Sequence, residues 1–249
     1  MSVLLRLDGV SFTNSNLPTL NDADLVDANF IDVERGAVGH WLLGGGLYSF
    51  NDMTAQKHLL MPISNVPPIS DNFITVSKDH SLDTGIELGA GSQVTIICVF
   101  KNKISNVLPV TTMPEQINDD GTGISLFTTT NGGTLAFSGR SLTNSSQVAL
   151  DGLPLGDVFT AVSVGNDKVI LHSPQIDNPT EGNIKEVSKP NVNAISNNPI
   201  AIGSYYYQGA FGTVDVSEVI IFDKALTASE ISNVYARSKT RLAKRGVLI

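Results

Sequence analysis

Three consecutive tyrosines, Tyr205-Tyr206-Tyr207, followed by Gln208, form the most ligand-like cluster in this 249-residue chain. Aromatic faces cover the apolar side of a sugar ring, while phenol and carboxamide groups reach its hydroxyls. In extended backbone Tyr205 and Tyr207 share one side and Tyr206 takes the other, so at least one ring is expected to meet solvent or a partner. The plainer alternative packs one or two of the rings in the core or at a subunit contact. A second chemistry sits at Asn118-Asp119-Asp120-Gly121-Thr122, where Asp119 and Asp120 are candidate oxygen ligands for calcium. That stretch lacks the spacing of a helix-loop-helix calcium site and also reads as an ordinary acidic turn. The four histidines, at 40, 58, 80 and 172, have no ligand spacing. Gly44-Gly45-Gly46 reads as a turn and not a phosphate cradle, because no helix start follows it. There is no Gly-x-Ser-x-Gly elbow and no His-Glu-x-x-His pair. A binding protein is expected, not an enzyme.

The elements that must carry these residues are strands. The runs 73–76, 93–100, 123–128, 134–138, 158–164, 168–172, 200–203 and 214–222 are rich in β-branched and aromatic residues, and turn residues divide them. Gly165-Asn166-Asp167 between two such runs predicts a tight hairpin. Within 158–164, Val158, Thr160, Val162 and Val164 fall on one face, and Phe159, Ala161 and Ser163 on the other. One face is apolar and one mixed, as in a strand of a two-sheet sandwich. Two long surface loops are expected, over 104–122 and over the Asn-, Pro- and Ser-rich 177–199. Residues 1–39 look least like the rest and read as an N-terminal extension or attachment segment, with 40–249 as the main domain.

One helix is predicted near the C-terminus. Thr227-Ala228-Ser229-Glu230 has the form of a capping box, Leu226 and Ile231 can staple it, and Ile231, Val234, Tyr235 and Leu242 follow a helical stripe. Gly246 is placed to stop it, and Val247-Leu248-Ile249 is expected to dock.

Charge is uneven. The net charge is −8, yet Arg237, Lys239, Arg241, Lys244 and Arg245 crowd the helix end; without them 11 basic residues face 24 acidic ones, a charge of −13. An acidic body disfavours nucleic acid. The basic cluster reads as a solvated helix end that offsets the helix dipole. Cys98, the single cysteine, lies in an apolar run and reads as a buried thiol. Trp41, the single tryptophan, reads as core. Early charges make the N-terminus unlike a signal peptide, and no stretch approaches the ~20 apolar residues of a membrane span; synthesis in the cytoplasm without a leader is expected.

Residues 209–231 add a resemblance. A glycine, a strand ending in an apolar pair (Ile220-Ile221), then Leu226, the Thr227 cap and Glu230-Ile231 resemble the laminin-G-like branch of the concanavalin A-like lectin/glucanase superfamily. Upstream, His40-Trp41-Leu42-Leu43, Asn51-Asp52 and Leu59-Leu60 are similar to the opening strand and acidic turn of such domains. The resemblance implies an all-β fold: a two-sheet antiparallel jelly-roll sandwich with one C-terminal α-helix. Glucanases of this superfamily carry Glu-x-Asp-x-x-Glu; none of the seven glutamates here has Asp two residues later, so the resemblance extends to binding and not to glycoside cleavage. Many members bind calcium. The leaderless start, Leu82-Asp83-Thr84-Gly85-Ile86 and the strand at 94–100 are also similar to small phage tail and baseplate proteins bearing this domain. That implies a virion component, a homo-oligomer such as a trimer, with host-surface glycans or other virion proteins as partners. The alternatives are a stand-alone carbohydrate-binding module and, last, a glycoside hydrolase.

Overall fold

The computed structural model describes residues 34–89, 92–112, 123–140, 145–188, 198–204 and 211–249, all within one compact unit that opens at Val33. In chain order the strands are β1 (Ala37–Leu42), β2 (Met61–Pro62), β3 (Ile74–Val76), β4 (Leu82–Asp83), β5 (Val94–Asn102), β6 (Val110–Thr111), β7 (Gly123–Thr129), β8 (Thr134–Arg140), β9 (Ser145–Asp151), β10 (Gly156–Val164), β11 (Lys168–His172), β12 (Ile184–Ser188), β13 (Ala201–Ile202) and β14 (Val214–Phe222). One α-helix among the described residues, α1 (Ala228–Ala243), follows. The strands form two seven-stranded sheets. The first runs β1-β14-β5-β10-β11-β12, with β3 also paired to β14; the second runs β2-β4-β13-β6-β7-β8-β9. Among the described residues every strand pairing is antiparallel. This is the jelly-roll sandwich with a C-terminal helix.

The first sheet is covered on both faces. Trp41, Ile96, Cys98, Phe100, Val158, Val162, Val219 and Ile221 face the second sheet's Leu126, Leu135, Phe137 and Leu150. On the other face Ile97, Val99, Phe159, Ala161, Ile220 and Phe222 lie under Ile231, Val234 and Leu242 of α1 and under Val247 and Ile249 beyond it. Double coverage explains why β5 and β14 read as nearly unbroken apolar runs. It also explains the mixed face of β10: Phe159 and Ala161 join the layer under the helix, and Ser163 Oγ donates to the Leu226 carbonyl at 2.8 Å. Trp41 and Cys98 are both fully buried, and burial pushes the Cys98 thiol far above its ordinary range.

The helix is built as its residues dictate. The Glu230 amide donates to Thr227 Oγ1 at 3.3 Å while the Thr227 amide donates to Glu230 Oε2 at 2.8 Å. Gly246 takes φ +77° just past the end, and the Val247 amide returns to the Leu242 carbonyl at 3.1 Å. The 165–167 turn forms as expected, with the Gly165 amide donating to the Lys168 carbonyl at 2.9 Å.

Both expected loops need correction. Ile184–Ser188 is β12, an edge strand paired along its length with β11. Its residues are half-buried or exposed, so apolar alternation never marks it. Within 104–122, Val107, Leu108, Val110, Thr111 and Thr112 are buried and β6 joins the second sheet. The sandwich also begins ahead of residue 40, at Ala37 of β1. Among the described residues no helix is long and apolar enough to cross a membrane.

Candidate binding site

The tyrosine cluster Tyr205, Tyr206, Tyr207 with Gln208, and the calcium candidates Asp119 and Asp120, lie outside the described residues. The histidines do not converge. His58 contributes its backbone amide to Asp52 at 3.1 Å, His80 contacts Ser77 at 3.2 Å, and His172 is buried, which lowers its pKa to about 4. Among the described residues no three metal-type side chains group together. The structure instead brings together two polar clusters, both on β1.

The first joins sheet to helix. A bulge between Val216 and Glu218 changes which residues of β14 face which way. Val214 and Val216 point into the core between the sheets, whereas Glu218, Ile220 and Phe222 point under α1. Glu218 is fully buried. Its Oε1 accepts from Arg241 Nε at 2.7 Å and lies 2.9 Å from His40 Nε2. Arg241 also reaches Ser238 Oγ at 3.2 Å and Glu34 Oε1 at 3.3 Å, and Arg237 pairs with Glu34 Oε2 at 3.1 Å. Burial alone would raise the pKa of Glu218, but the His40 hydrogen bond and the Arg241 charge outweigh it and hold it at about 2. The carboxylate therefore stays ionised and can only accept, which makes His40 Nε2 the donor. These residues correct the reading of the basic helix end as solvated. Arg237 and Arg241 are 16% and 18% exposed and are paired with acids remote in sequence. Lys239 lies 5.6 Å from the Tyr235 ring.

The second cluster opens to solvent where β1 ends. A depression of about 370 Å³ is lined by residues that include Leu42, Gly45, Tyr48, Asn51, Met53, Asp71 and Arg245. Gly44, Gly45 and Gly46 have φ of +101°, +79° and +129°, a left-handed run open to glycine. At Gly44 a Cβ would fall 2.4 Å from the Phe73 amide nitrogen. The turn proposed for these glycines is present, and a short 3-10 turn, Leu47–Phe50, does follow it. Ser49 Oγ donates to the Gly46 carbonyl at 2.7 Å and accepts from the Gly44 amide at 3.3 Å. Arg245 Nη2 donates to the carbonyls of Leu43 and Asp71 at 2.8 and 3.0 Å. Asp52 fixes the next turn by accepting from the amides of His40, Thr54 and His58 at 2.9, 2.8 and 3.1 Å. On this rigid frame Tyr48 is 72% exposed, with Leu47 and Met53 exposed beside it in sequence. Sequence reasoning noted the glycines and the Asn51-Asp52 turn, passed over Tyr48, and read Arg245 only as part of the basic helix end. The signal for Tyr48 was its place between a glycine run and an acidic turn.

No family model and no curated protein matches the chain. Solved structures do. The binding domain of botulinum neurotoxin serotype D matches with TM-score 0.63 and 10% identity, over 85% of this chain and 53% of that one. A receptor binding domain of botulinum neurotoxin D gives 0.59 and 9%, over 84% and 55%. The serotype G binding domain gives 0.59 and 11%, over 82% and 51%. The chain thus spans about half the length of the structures it matches. At such identities the likeness is one of fold, and the chain shares its jelly-roll β-sandwich with these domains.

Proposed function

We propose that the protein is a non-catalytic binding module of the concanavalin A-like, laminin-G-like kind, serving as a phage tail or baseplate component that contacts host-surface glycans or neighbouring subunits. The observation that carries the binding reading is a crowding of exposed apolar side chains. Leu47, Tyr48, Met53, Leu59, Met61 and Val66 are all more than half exposed and fall within one stretch of chain. Tyr48 and Met53 line one depression, and Leu59 is bridged to Asn51 of that same lining, so part of this exposed apolar stretch is gathered as in a contact face. The solved structures of like fold are described as binding or receptor-binding domains, which supports the same reading. The constellation with the most enzyme-like residue types, His40–Glu218–Arg241, is closed between sheet and helix, where Glu218 is too acidic to hold a proton near neutral pH.

In this reading the chain ahead of the sandwich attaches it to another protein, the 205–208 cluster is a second contact, Asp119 and Asp120 hold calcium, and the assembly is a homo-oligomer such as a trimer. The exposed Tyr48, in a depression also lined by Asn51 and Asp71, equally favours a stand-alone carbohydrate-binding module. Light scattering of the full chain, combined with adsorption of labelled protein to a panel of bacterial cells before and after periodate treatment, separates the two. A multimer whose adsorption falls after periodate supports the tail reading; a monomer that binds glycan supports the stand-alone module. Release of reducing ends from a polysaccharide, abolished by one Asp or Glu substitution, would overturn the non-catalytic assignment.

A further inference from the structure

Resting on the reading of the protein as a glycan-binding module, we propose that the depression at the end of β1 is a subsite for an uncharged sugar ring, with Tyr48 as its stacking platform and Asn51 and Asp71 as its hydroxyl partners. The site is formed in advance. Gly45 is exposed and lines the floor, and a Cβ there would sit 3.6 Å from the Tyr48 hydroxyl and 3.4 Å from the Asp71 carbonyl. Any side chain at 45 would therefore grow between the ring and Asp71, into the space a ligand would take; glycine keeps that space open. The floor is held by the two Arg245 hydrogen bonds and by Ser49, so little ordering is left for binding to impose.

The lining selects the ligand class. A ring left 72% exposed gains by being covered with an apolar face, and a pyranose offers such a face with hydroxyls around its edge. Asn51 and Asp71 are exposed at the rim; one supplies amide donors and an acceptor, the other acceptors alone. A cavity of about 370 Å³ suits a sugar ring better than a long folded chain. Anionic sugars are disfavoured. The one guanidinium among the described lining residues keeps its charge, but Nη2 is committed to two carbonyls, and Nη1, which has no hydrogen-bond partner, is buried away from solvent where an incoming anion does not reach it. The exposed Asp71 carboxylate then repels carboxylates and sulfates, as does the net charge of −8. Neutral hexose-type glycans fit, and sialylated or sulfated ones do not.

The test is binding of the full-length protein to an array carrying neutral, sialylated and sulfated oligosaccharides, repeated with Tyr48→Ala, Tyr48→Phe, Asn51→Ala and a Tyr205→Ala/Tyr207→Ala double variant, each checked by circular dichroism. The expected result is binding to neutral glycans only. It weakens by about tenfold or more in Tyr48→Ala, as loss of one stacking ring implies, is kept in Tyr48→Phe, and weakens in Asn51→Ala. Neutral-glycan binding that survives Tyr48→Ala but is lost in the double variant overturns this subsite while leaving the glycan-binding reading intact. Preference for sialylated or sulfated glycans overturns the ligand class. No binding of the wild-type protein to any glycan overturns both the subsite and the reading on which it rests.

Discussion

Two polar clusters share strand β1 and differ in what surrounds them. At His40 the strand faces α1, and the charges of Glu218, Arg241, Arg237 and Glu34 are closed in with one another. At Leu42 and just beyond, the same strand emerges beside the glycine turn, where Tyr48, Asn51 and Asp71 stand open to solvent. The first cluster has the residue types of an active site but no access. The second has access and an ordinary composition. The contrast teaches that charge-rich constellations in a sandwich are read by their exposure: sealed, they fasten layers together; open, they meet ligands.

Substitutions sharpen the contrast by separating stability from binding. The largest effect is expected at Glu218. Glu218→Gln removes the counter-charge from Arg241 and His40 in a buried setting and should lower unfolding stability by roughly 3–5 kcal/mol in denaturant titrations. Ile231→Ala, at a fully buried site under the helix, should cost about 2–5 kcal/mol. A near-zero effect would mean that α1 does not hold the sheet face. Thr227→Ala breaks the capping box and should cost on the order of 1 kcal/mol. Tyr48→Ala, at an exposed ring, should change stability by no more than about 0.5 kcal/mol. A large loss there would show that Tyr48 is structural.

Acid titration adds a finer division. The folded protein holds Glu218 at about 2 against an ordinary value of 4.5, so the unfolded chain binds the proton first. The Glu218 contribution to stability is then full above pH 4.5 and is lost as pH drops toward 2. His172 also has a lowered value, about 4 against 6.5, and stays neutral in the fold while the unfolded chain charges. Its contribution is lost between pH 6.5 and 4. Glu218→Gln should flatten the lower limb of the stability curve and His172→Leu the upper one. Unchanged limbs would remove these groups from the account.

Much of the fold was legible because the physics acting on it is local. Lys168–His172 and Val214–Phe222 are marked by β-branched runs with turns on either side, and the helix start by Thr227 and Glu230 three residues apart. β12 was not legible, since Ile184-Lys185-Glu186-Val187-Ser188 is half-exposed on an edge and carries the composition of a loop. β9, with Gln147 and Asp151 exposed and Val148 and Leu150 buried, was hidden by its polar start. The His40–Glu218–Arg241–Glu34 cluster depends on residues 178 and 207 positions apart, which no spacing rule connects. Two signs of it were present: a glutamate inside the apolar run of β14, and a basic helix end without acids of its own. A buried Glu218 required a cation, and Arg241 was that cation. The depression escaped notice because its features are three-dimensional; only its glycines and the Asn51-Asp52 turn stood out.

The division between a fastening cluster and a binding cluster is tested most directly by measuring glycan affinity and melting temperature together for Tyr48→Ala and Glu218→Gln, with binding read at a temperature where circular dichroism shows both variants folded. Tyr48→Ala is expected to keep the wild-type melting temperature and lose affinity, while Glu218→Gln melts several degrees lower, roughly 2–4 °C per kcal/mol for a chain of this size, and keeps its affinity. Retained affinity in Tyr48→Ala together with lost affinity in folded Glu218→Gln would contradict that division.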